Sequence, residues 1–562
     1  MKRKLVLVAI VLCTLFLVSP ALNMTSSQHS IPSNVVLETE LPKAPSKMAV
    51  YRVTQPRASL MSIGGVAEKL GVGGTPVETE DAFIFESRGT SISLVAFKSS
   101  DSFIYGDFSK WGQESYRPAL PRAENAVGIA RTFLEKNGLL PKNAEFTRTG
   151  GMSTQVFDGK SRRVISSYQN DVEVVFSMKI DGYWIEGMEI EIALGDKGEI
   201  IGIDRSWREF TLDRTAPIVD PLEAVGRLAI MLDGAKEIVV SKVYIAYYSL
   251  PSTEPQEFIE PFYIFEGTES GVKVSLPFIK LIPALAEVEV KPLATDSHSG
   301  TRPSRTTARA GLDETSGSAR REVWGDWVCD YDPTMGPGYD LAYSDDNVIN
   351  AYNYLVSAGW LGKGCVGDAN AWEDDFVTVE LGGIDYASSD DVDLALFSGH
   401  GSYLGWYFGT KHDDWLAKYT EIYAGDKDLE WLVVAACQVL QESSPAGSVL
   451  SRWGRIFKGL HYLMSYDTVS YDTKWELKSF AKCLTGYYGS TYTYVRNAWL
   501  FASRASQPSS VHGAYLRAGG GYSGAWNTYN DRPHYYTWQQ DVLDPIYKPG
   551  VCGQLYYVHW TC

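Results

Sequence analysis

Residues 322–562 predict an α/β domain of three layers around a mostly parallel sheet, and residues 47–294 predict a β-rich α+β region ahead of it. Two short apolar runs carry the first expectation, VDLALFSGHG at residues 392–401 and WLVVAACQ at residues 431–438. Nearly continuous apolar runs bounded by turn residues are the signature of strands buried on both faces, which belong to parallel sheets covered by helices. A strict alternation carries the second. Val172, Val174, Phe176, Met178 and Ile180, then Met188, Ile190, Ile192 and Leu194, are interleaved with mostly polar residues, as in a meander with one buried face.

The chain opens with Lys2-Arg3-Lys4, an apolar run to about residue 18 and then Ser19-Pro20-Ala21. That order of charge, apolar core and small residues is a secretory signal peptide, taken as residues 1–23 and followed by a flexible segment at 24–46. An uncleaved anchor is the alternative, although the run is short for a span of about 20 residues. No later segment is apolar enough to cross a membrane, so the protein is expected to be secreted or held at the cell surface. A length of 562 residues leaves room for about three or four domains. The net charge of −17 excludes nucleic acid as the expected partner, since that needs a basic surface.

Within the N-terminal region, residues 122–137 place Val127, Ala130, Phe133 and Leu134 on one side of a helix that stops at Gly138. Asp220-Pro221 caps and opens a second helix over residues 222–232. Asp196-Lys197-Gly198 supplies a turn. Residues 295–321 are rich in Ser, Thr and Gly, lack an apolar period and carry Arg302, Arg305, Arg309, Arg320 and Arg321. Such a stretch cannot bury enough surface to fold and reads as an exposed linker, with Arg320-Arg321 as a candidate processing site. Beyond it, Ser344 or Asp345 caps a helix with Ile349, Tyr352 and Leu355 as its buried stripe. Another apolar run follows at residues 460–466, and an amphipathic helix at about 493–505.

The chemistry sits at the ends of the two apolar runs. Ligands collect at the carboxyl ends of parallel strands, so His400 and Cys437 can face one another there. A neutral thiol is a poor nucleophile, and an adjacent imidazole can take its proton. The Gly401 and Cys437 amides together make a candidate oxyanion hole. No cofactor is required by such a dyad. The acidic pairs Asp345-Asp346 and Asp374-Asp375 offer hard oxygen ligands for a possible Ca²⁺. His412 has no second His at metal-ligand spacing, which argues against zinc. Of the seven cysteines, Cys13 leaves with the signal peptide; Cys329–Cys365 and Cys552–Cys562 are candidate disulfides.

Ser398-Gly399-His400-Gly401-Ser402 and Ala436-Cys437-Gln438 resemble the His and Cys motifs of the caspase-like superfamily of cysteine peptidases, clan CD. Ala435 departs from the Gln of caspases and the Glu of legumains, and Val439 from the caspase Gly. Residues 324–505 are more similar to poorly characterised prokaryotic families assigned to this clan, through Trp372-Glu373-Asp374-Asp375-Phe376, Gly382-Gly383-Ile384-Asp385 and Val392-Asp393. The resemblance implies a caspase-like fold and a Cys–His dyad without a third residue. It also implies a substrate pocket from Ser465, Tyr466 and Asp467, where a carboxylate would favour Arg or Lys. Residues 174–209 resemble the PepSY-type modules of secreted peptidase propeptides, with a weaker second copy at 244–283, which implies an inhibitory prodomain.

The expected activity is that of a secreted cysteine endopeptidase made as a proenzyme, whose partners are a protein or peptide substrate and its own prodomain. Two rivals stand beside it. A transpeptidase would use the same dyad with an amine as acceptor. A surface adhesin or glycan-binding protein would instead use Tyr487, Tyr488, Tyr492, Tyr494, Trp499, Tyr535, Tyr536 and Trp538 as stacking platforms.

Overall fold

The computed structural model describes residues 30–290, 321–332, 340–409, 415–519, 528–533 and 553–562, apart from residues 57, 88, 160, 162, 272 and 273. The expected signal peptide, residues 1–23, and all but Arg321 of the linker at 295–321 lie outside the described residues.

Three times along the N-terminal region a helix precedes antiparallel strands: α1 (Leu60–Lys69), α2 (Ala123–Lys136) and α3 (Pro221–Met231). The capping is as the residues dictate. The Asp220 carboxylate accepts the Glu223 N–H at 2.9 Å and Pro221 sits in the first turn of α3. Helix α2 buries Ala126, Ala130 and Leu134, three residues a turn or so apart on one stripe. The strands form a 14-stranded, largely antiparallel sheet. A hairpin, β1 (Ser153–Asp158) and β2 (Arg163–Gln169), leaves this region to join the second sheet. Strands β3 (Val172–Ile180) and β4 (Tyr183–Leu194) pair with Val174 opposite Ile192 and Phe176 opposite Ile190. The turn after β4 places Lys197 at φ 54° and Gly198 at φ 87°, which the glycine adopts without strain. The last two strands of the region are β5 (Phe258–Ser270) and β6 (Ser275–Pro283), and among the described residues β6 pairs only with β5.

The second sheet is where the sequence expectation fails. Its strands are β7 (Glu322–Trp327), β8 (Leu361–Gly367), β9 (Leu394–Ser398), β10 (Trp431–Ala435), β11 (Tyr462–Tyr466), β12 (His512–Gly519) and β13 (Gln554–Thr561). With the hairpin they run in the order β8-β7-β9-β10-β11-β12-β13-β1-β2. The four pairs from β8 to β11 are parallel, and the four from β11 to β2 are antiparallel. This is a mixed sheet completed by N-terminal strands, not the mostly parallel caspase-like three-layer domain, and the described chain is richer in strand, 39%, than in helix, 21%. The physical reason is plain in β12, which buries seven consecutive residues. A strand covered on both faces has the same apolar run whichever way its neighbours point.

Helices α4 (Ser344–Ser357), α5 (Glu476–Leu484) and α6 (Val495–Ser506) cover the sheet, and all 12 residues of α6 are buried. The amphipathic helix expected at about 493–505 is therefore present, and its polar face is covered as well as its apolar one. On one side Trp499 meets Tyr466 of β11 with ring centroids 5.4 Å apart; on the other Phe501 meets Phe97 of the N-terminal sheet at 6.0 Å. Between the layers the Arg504 guanidinium pairs with Glu173 of β3 and Glu191 of β4. Those glutamates belong to the polar set of the alternating pattern, yet they are 0% and 4% exposed. Arg517 of β12 pairs likewise with Glu114, Nε to Oε1 at 2.8 Å, and Lys482 of α5 with Asp81. The core thus runs unbroken across the connection at residues 295–321. No helix among the described residues is long and apolar enough to cross a membrane.

Replacing Arg504 by Met strands two buried carboxylates and is expected to lower stability by about 3–5 kcal/mol, measured by urea unfolding, with recovery in Arg504→Met/Glu173→Gln/Glu191→Gln. A pH dependence follows from other buried carboxyls. Burial pushes Asp204 and Glu186 up to about 7, with like charges adding to it. Folded-state values above the ordinary carboxyl range give stability that is full below about pH 4 and lost as pH rises through 6–7. The thermal midpoint should therefore fall by several degrees between pH 5 and pH 7.5; a midpoint that rises over this window would contradict the assignment.

Candidate active site

Strands β9 and β10 are parallel neighbours, with Ser398 level with Ala435, so the segments that follow them emerge at the same end of the sheet. His400 follows β9 and is 4% exposed. Its N–H donates to the Tyr331 hydroxyl at 2.8 Å, its carbonyl accepts the Tyr407 N–H at 2.9 Å, and the Tyr331 ring lies 4.6 Å from the imidazole. Cys437 follows β10 and is half-buried. The next residue, Gln438, takes φ 57°, a left-handed conformation that side chains adopt at some energetic expense and that turns the chain sharply beneath the thiol. The Ser470 N–H donates to Cys437 Sγ at 3.4 Å, with the Ser470 hydroxyl at 3.7 Å. Burial pushes the Cys437 thiol above its ordinary value, against the Ser470 hydrogen bonds and the Lys280 charge. The Cys437 N–H makes no hydrogen bond among the described residues.

Gly401 is required here for its close approach. A Cβ on it would lie 2.7 Å from the Ala436 Cβ and 2.8 Å from the Cys437 carbonyl oxygen. This brings the two nominated oxyanion-hole residues against one another. His400 and Cys437 line one cavity of about 50 Å³, together with Asn347, Ser398 and Asp472. Strand β6 of the N-terminal region, from Pro277 to Lys280, forms another of its walls.

Asp472 was not foreseen. Its carboxylate accepts the Ala342 N–H at 2.7 Å and the Tyr343 N–H at 3.1 Å. Burial raises it to about 6, opposed by the Lys280 charge. Burial lowers Lys280 to about 8, opposed by Asp472 and then Cys437. A positive and a negative group thus share the cavity with the thiol. The residues nominated for this pocket are elsewhere. The Ser465 hydroxyl donates to the Val434 carbonyl at 2.6 Å inside the sheet, Tyr466 is 0% exposed, and Asp467 faces His512 and His559. The lining comes from residues 469–473, further along the same loop.

Other nominated residues are also redistributed. Cys329 and Cys365 are thiols, not a disulfide. Cys329 follows β7 and lies 3.6 Å from an Asp345 oxygen, whereas Cys365 is level with Gly325. Four residues of strand separate those levels, roughly 13 Å, about twice the reach of a disulfide. Cys562 is a buried thiol and Cys552 lies outside the described residues, as does Arg320. Arg321 does not present an open scissile bond, because its carbonyl accepts the Leu361 N–H at 2.7 Å and the Glu322 N–H is held by Asp393. Asp345 and Asp346 stand in the first turn of α4, while Asp375 accepts the Trp372 N–H at 3.0 Å in a tight turn. These four aspartates form no ligand cluster among the described residues; Asp385, Asp390 and Asp426 do, as do Asp467, His512 and His559. Tyr488, Tyr492 and Trp499 are at most 1% exposed, so they are core rather than glycan platforms, and Tyr535, Tyr536 and Trp538 lie outside the described residues.

Residues 326–557 match the family model of a domain of unknown function, DUF6345, a span that contains both His400 and Cys437. Among solved structures, the chain is similar to an uncharacterised protein from Eubacterium rectale, at 12% identity and a TM-score of 0.30 over 46% of this chain and 90% of that one. It is also similar to the YpeB C-terminal domain of Bacillus megaterium, at 13% identity and a TM-score of 0.22 over 42% and 97%. No curated protein matches.

Gly401→Ala is expected to destabilise the protein by about 1–3 kcal/mol through overpacking against Ala436 and Cys437. Urea unfolding measures this, and an unchanged midpoint would mean that the two segments separate freely.

Proposed function

We propose that the protein is the latent form of an exported cysteine endopeptidase acting after Lys or Arg, with His400 and Cys437 as its dyad. The observation that carries this reading is the cavity in which His400, Cys437 and Asp472 meet Lys280 of the N-terminal region. Strand β6 is an edge strand, and an extended segment laid along a cleft is the form in which a peptide substrate is held. Lys280 then stands where the side chain of a substrate residue would, facing the acidic group that would recognise it. The reading rests on the dyad and its cavity and does not use the fold expected for clan CD. Export follows from the charge, apolar run and small residues at the N-terminus.

With β6 displaced, His400 takes the Cys437 proton and the thiolate attacks the substrate carbonyl carbon. The oxyanion is held by the Cys437 N–H and the backbone at Gly401. The peptide C–N bond breaks as His400 protonates the departing amine, leaving a thioester. Water attacks it, giving its proton to His400, and the carboxylic acid and free thiol are released. In the intact chain burial opposes thiolate formation, which supports the latent assignment.

The test is alkylation of the intact and trypsin-nicked protein with iodoacetamide at neutral pH, mapped by mass spectrometry, alongside hydrolysis of Lys- and Arg-containing peptides. Cys437 should be slow to label in the intact chain and fast after nicking, with the acceleration lost in His400→Ala. Peptide hydrolysis should vanish in Cys437→Ala, and Asp472→Asn should lower kcat/KM for Lys peptides by roughly a hundredfold. Cys437 reacting no faster than Cys329 in every form, with no Cys437-dependent hydrolysis, would overturn the reading.

A further inference from the structure

Three strands of the second sheet bring together ligating side chains that the dyad does not use. Asp467 follows β11, His512 opens β12 and His559 lies in β13. Ala514 is opposite His559 in the β12–β13 register. Residues 512 and 514 share a face, so the two histidines are diagonal neighbours on it, with ring centroids 6.4 Å apart. Each turns Nδ1 toward the same oxygen, Asp467 Oδ2, at 3.8 Å from His512 and 3.7 Å from His559. Those separations are too long for hydrogen bonds. They are close to the separation of about 3.4 Å between two ligand atoms on one tetrahedral zinc ion at bond lengths of roughly 2.1 Å.

The surroundings are those of ligands held in place. The other carboxylate oxygen, Asp467 Oδ1, accepts the Glu442 N–H at 2.7 Å, which leaves Oδ2 to the histidines. His559 Nε2 meets the Ser153 hydroxyl at 2.5 Å, a partner contributed by β1 of the N-terminal region. Metal-bound imidazoles are commonly oriented by such a bond on the second ring nitrogen. Asp467 and His512 also line a cleft of about 750 Å³ between the two regions of the chain, so a fourth ligand position is open to solvent or to a bound group.

We infer that Asp467, His512 and His559 form a binding site for a single zinc-class divalent ion on the face of the second sheet. Two imidazoles and one carboxylate suit Zn²⁺ rather than Ca²⁺ or Mg²⁺. The site lies at the root of the loop that continues through Ser470 and Asp472. The Thr468 hydroxyl accepts the His512 N–H at 2.9 Å, and its carbonyl accepts the Gln438 N–H at 2.9 Å. A bound ion would therefore fix the loop that lines the dyad cavity; that consequence rests on the peptidase reading, whereas the metal site does not.

The experiment uses the full chain carrying Cys437→Ala, so that the dyad thiol cannot bind metal, after EDTA treatment and dialysis. Co²⁺ titration should produce the visible absorption of a tetrahedral site, saturating at one equivalent and displaced by Zn²⁺. His559→Gln should weaken binding on the order of a hundredfold and Ser153→Ala about tenfold. Thermal midpoints in EDTA matching the parent would show that these variants fold. Sub-stoichiometric cobalt, an octahedral spectrum, or binding unchanged by His512→Ala and His559→Gln would overturn the site.

Discussion

A guanidinium locked between two carboxylates, all three out of water, decides how the halves of the chain meet. Arg504 lies on a helix with no exposed residue, and Glu173 and Glu191 belong to neighbouring strands of the other region. Withdrawing such charges from water costs several kcal/mol per ion, which only close pairing offsets. The helix therefore has few other places to lie once β3 and β4 have paired. Around it the apolar contacts of Phe97 with Phe501 and of Tyr466 with Trp499 close the two sheets on the helical layer.

That docking has a consequence at the dyad. Zipping β1 against β13 and seating the N-terminal sheet on α6 bring edge strand β6 to the carboxyl ends of β9 and β10. Lys280 is then close enough to feel both Asp472 and the Cys437 thiol. Cutting the connection between the halves would leave the shared sheet and the buried pairs in place while freeing the chain that follows β6. Unmasking the thiol requires β6 to move, and β6 is held on one edge by β5. An edge strand with a single paired neighbour is the part of such an assembly least costly to displace.

The loop from Asp467 to Thr473 joins the chemistry of two places. At its start Asp467 faces two histidines; in its middle the Ser470 N–H reaches the Cys437 sulfur at 3.4 Å; near its end Asp472 lines the cavity. Only a few residues of backbone separate these positions. The acidic turn at residues 372–390 plays a different part. Asp390 accepts the Gly425 and Leu429 N–H groups at 2.9 Å, which ties the turn ahead of β9 to the segment ahead of β10.

The sequence by itself determined the local features: the Asp220 cap of α3, the turn at Lys197, the β3–β4 hairpin, and the two apolar strands that deliver His400 and Cys437 to the same end of a sheet, whereas α4 begins after Tyr343 without the side-chain cap expected from Ser344 or Asp345. These depend on residues close together in the chain, where periodicity and capping chemistry act directly. Only the tertiary structure decided the direction of β12 and β13, the entry of β1 and β2 into the second sheet, and the burial of Glu173 and Glu191. A polar residue in an alternating pattern reads as solvent-facing unless its counter-charge is known, and Arg504 lies more than three hundred residues away. The register of β7 against β8 kept Cys329 from Cys365, and assembly of the cavity from distant segments hid Asp472 behind Asp467 as its carboxylate. Asp467, His512 and His559 are likewise scattered over three strands, where no spacing rule for metal ligands would find them.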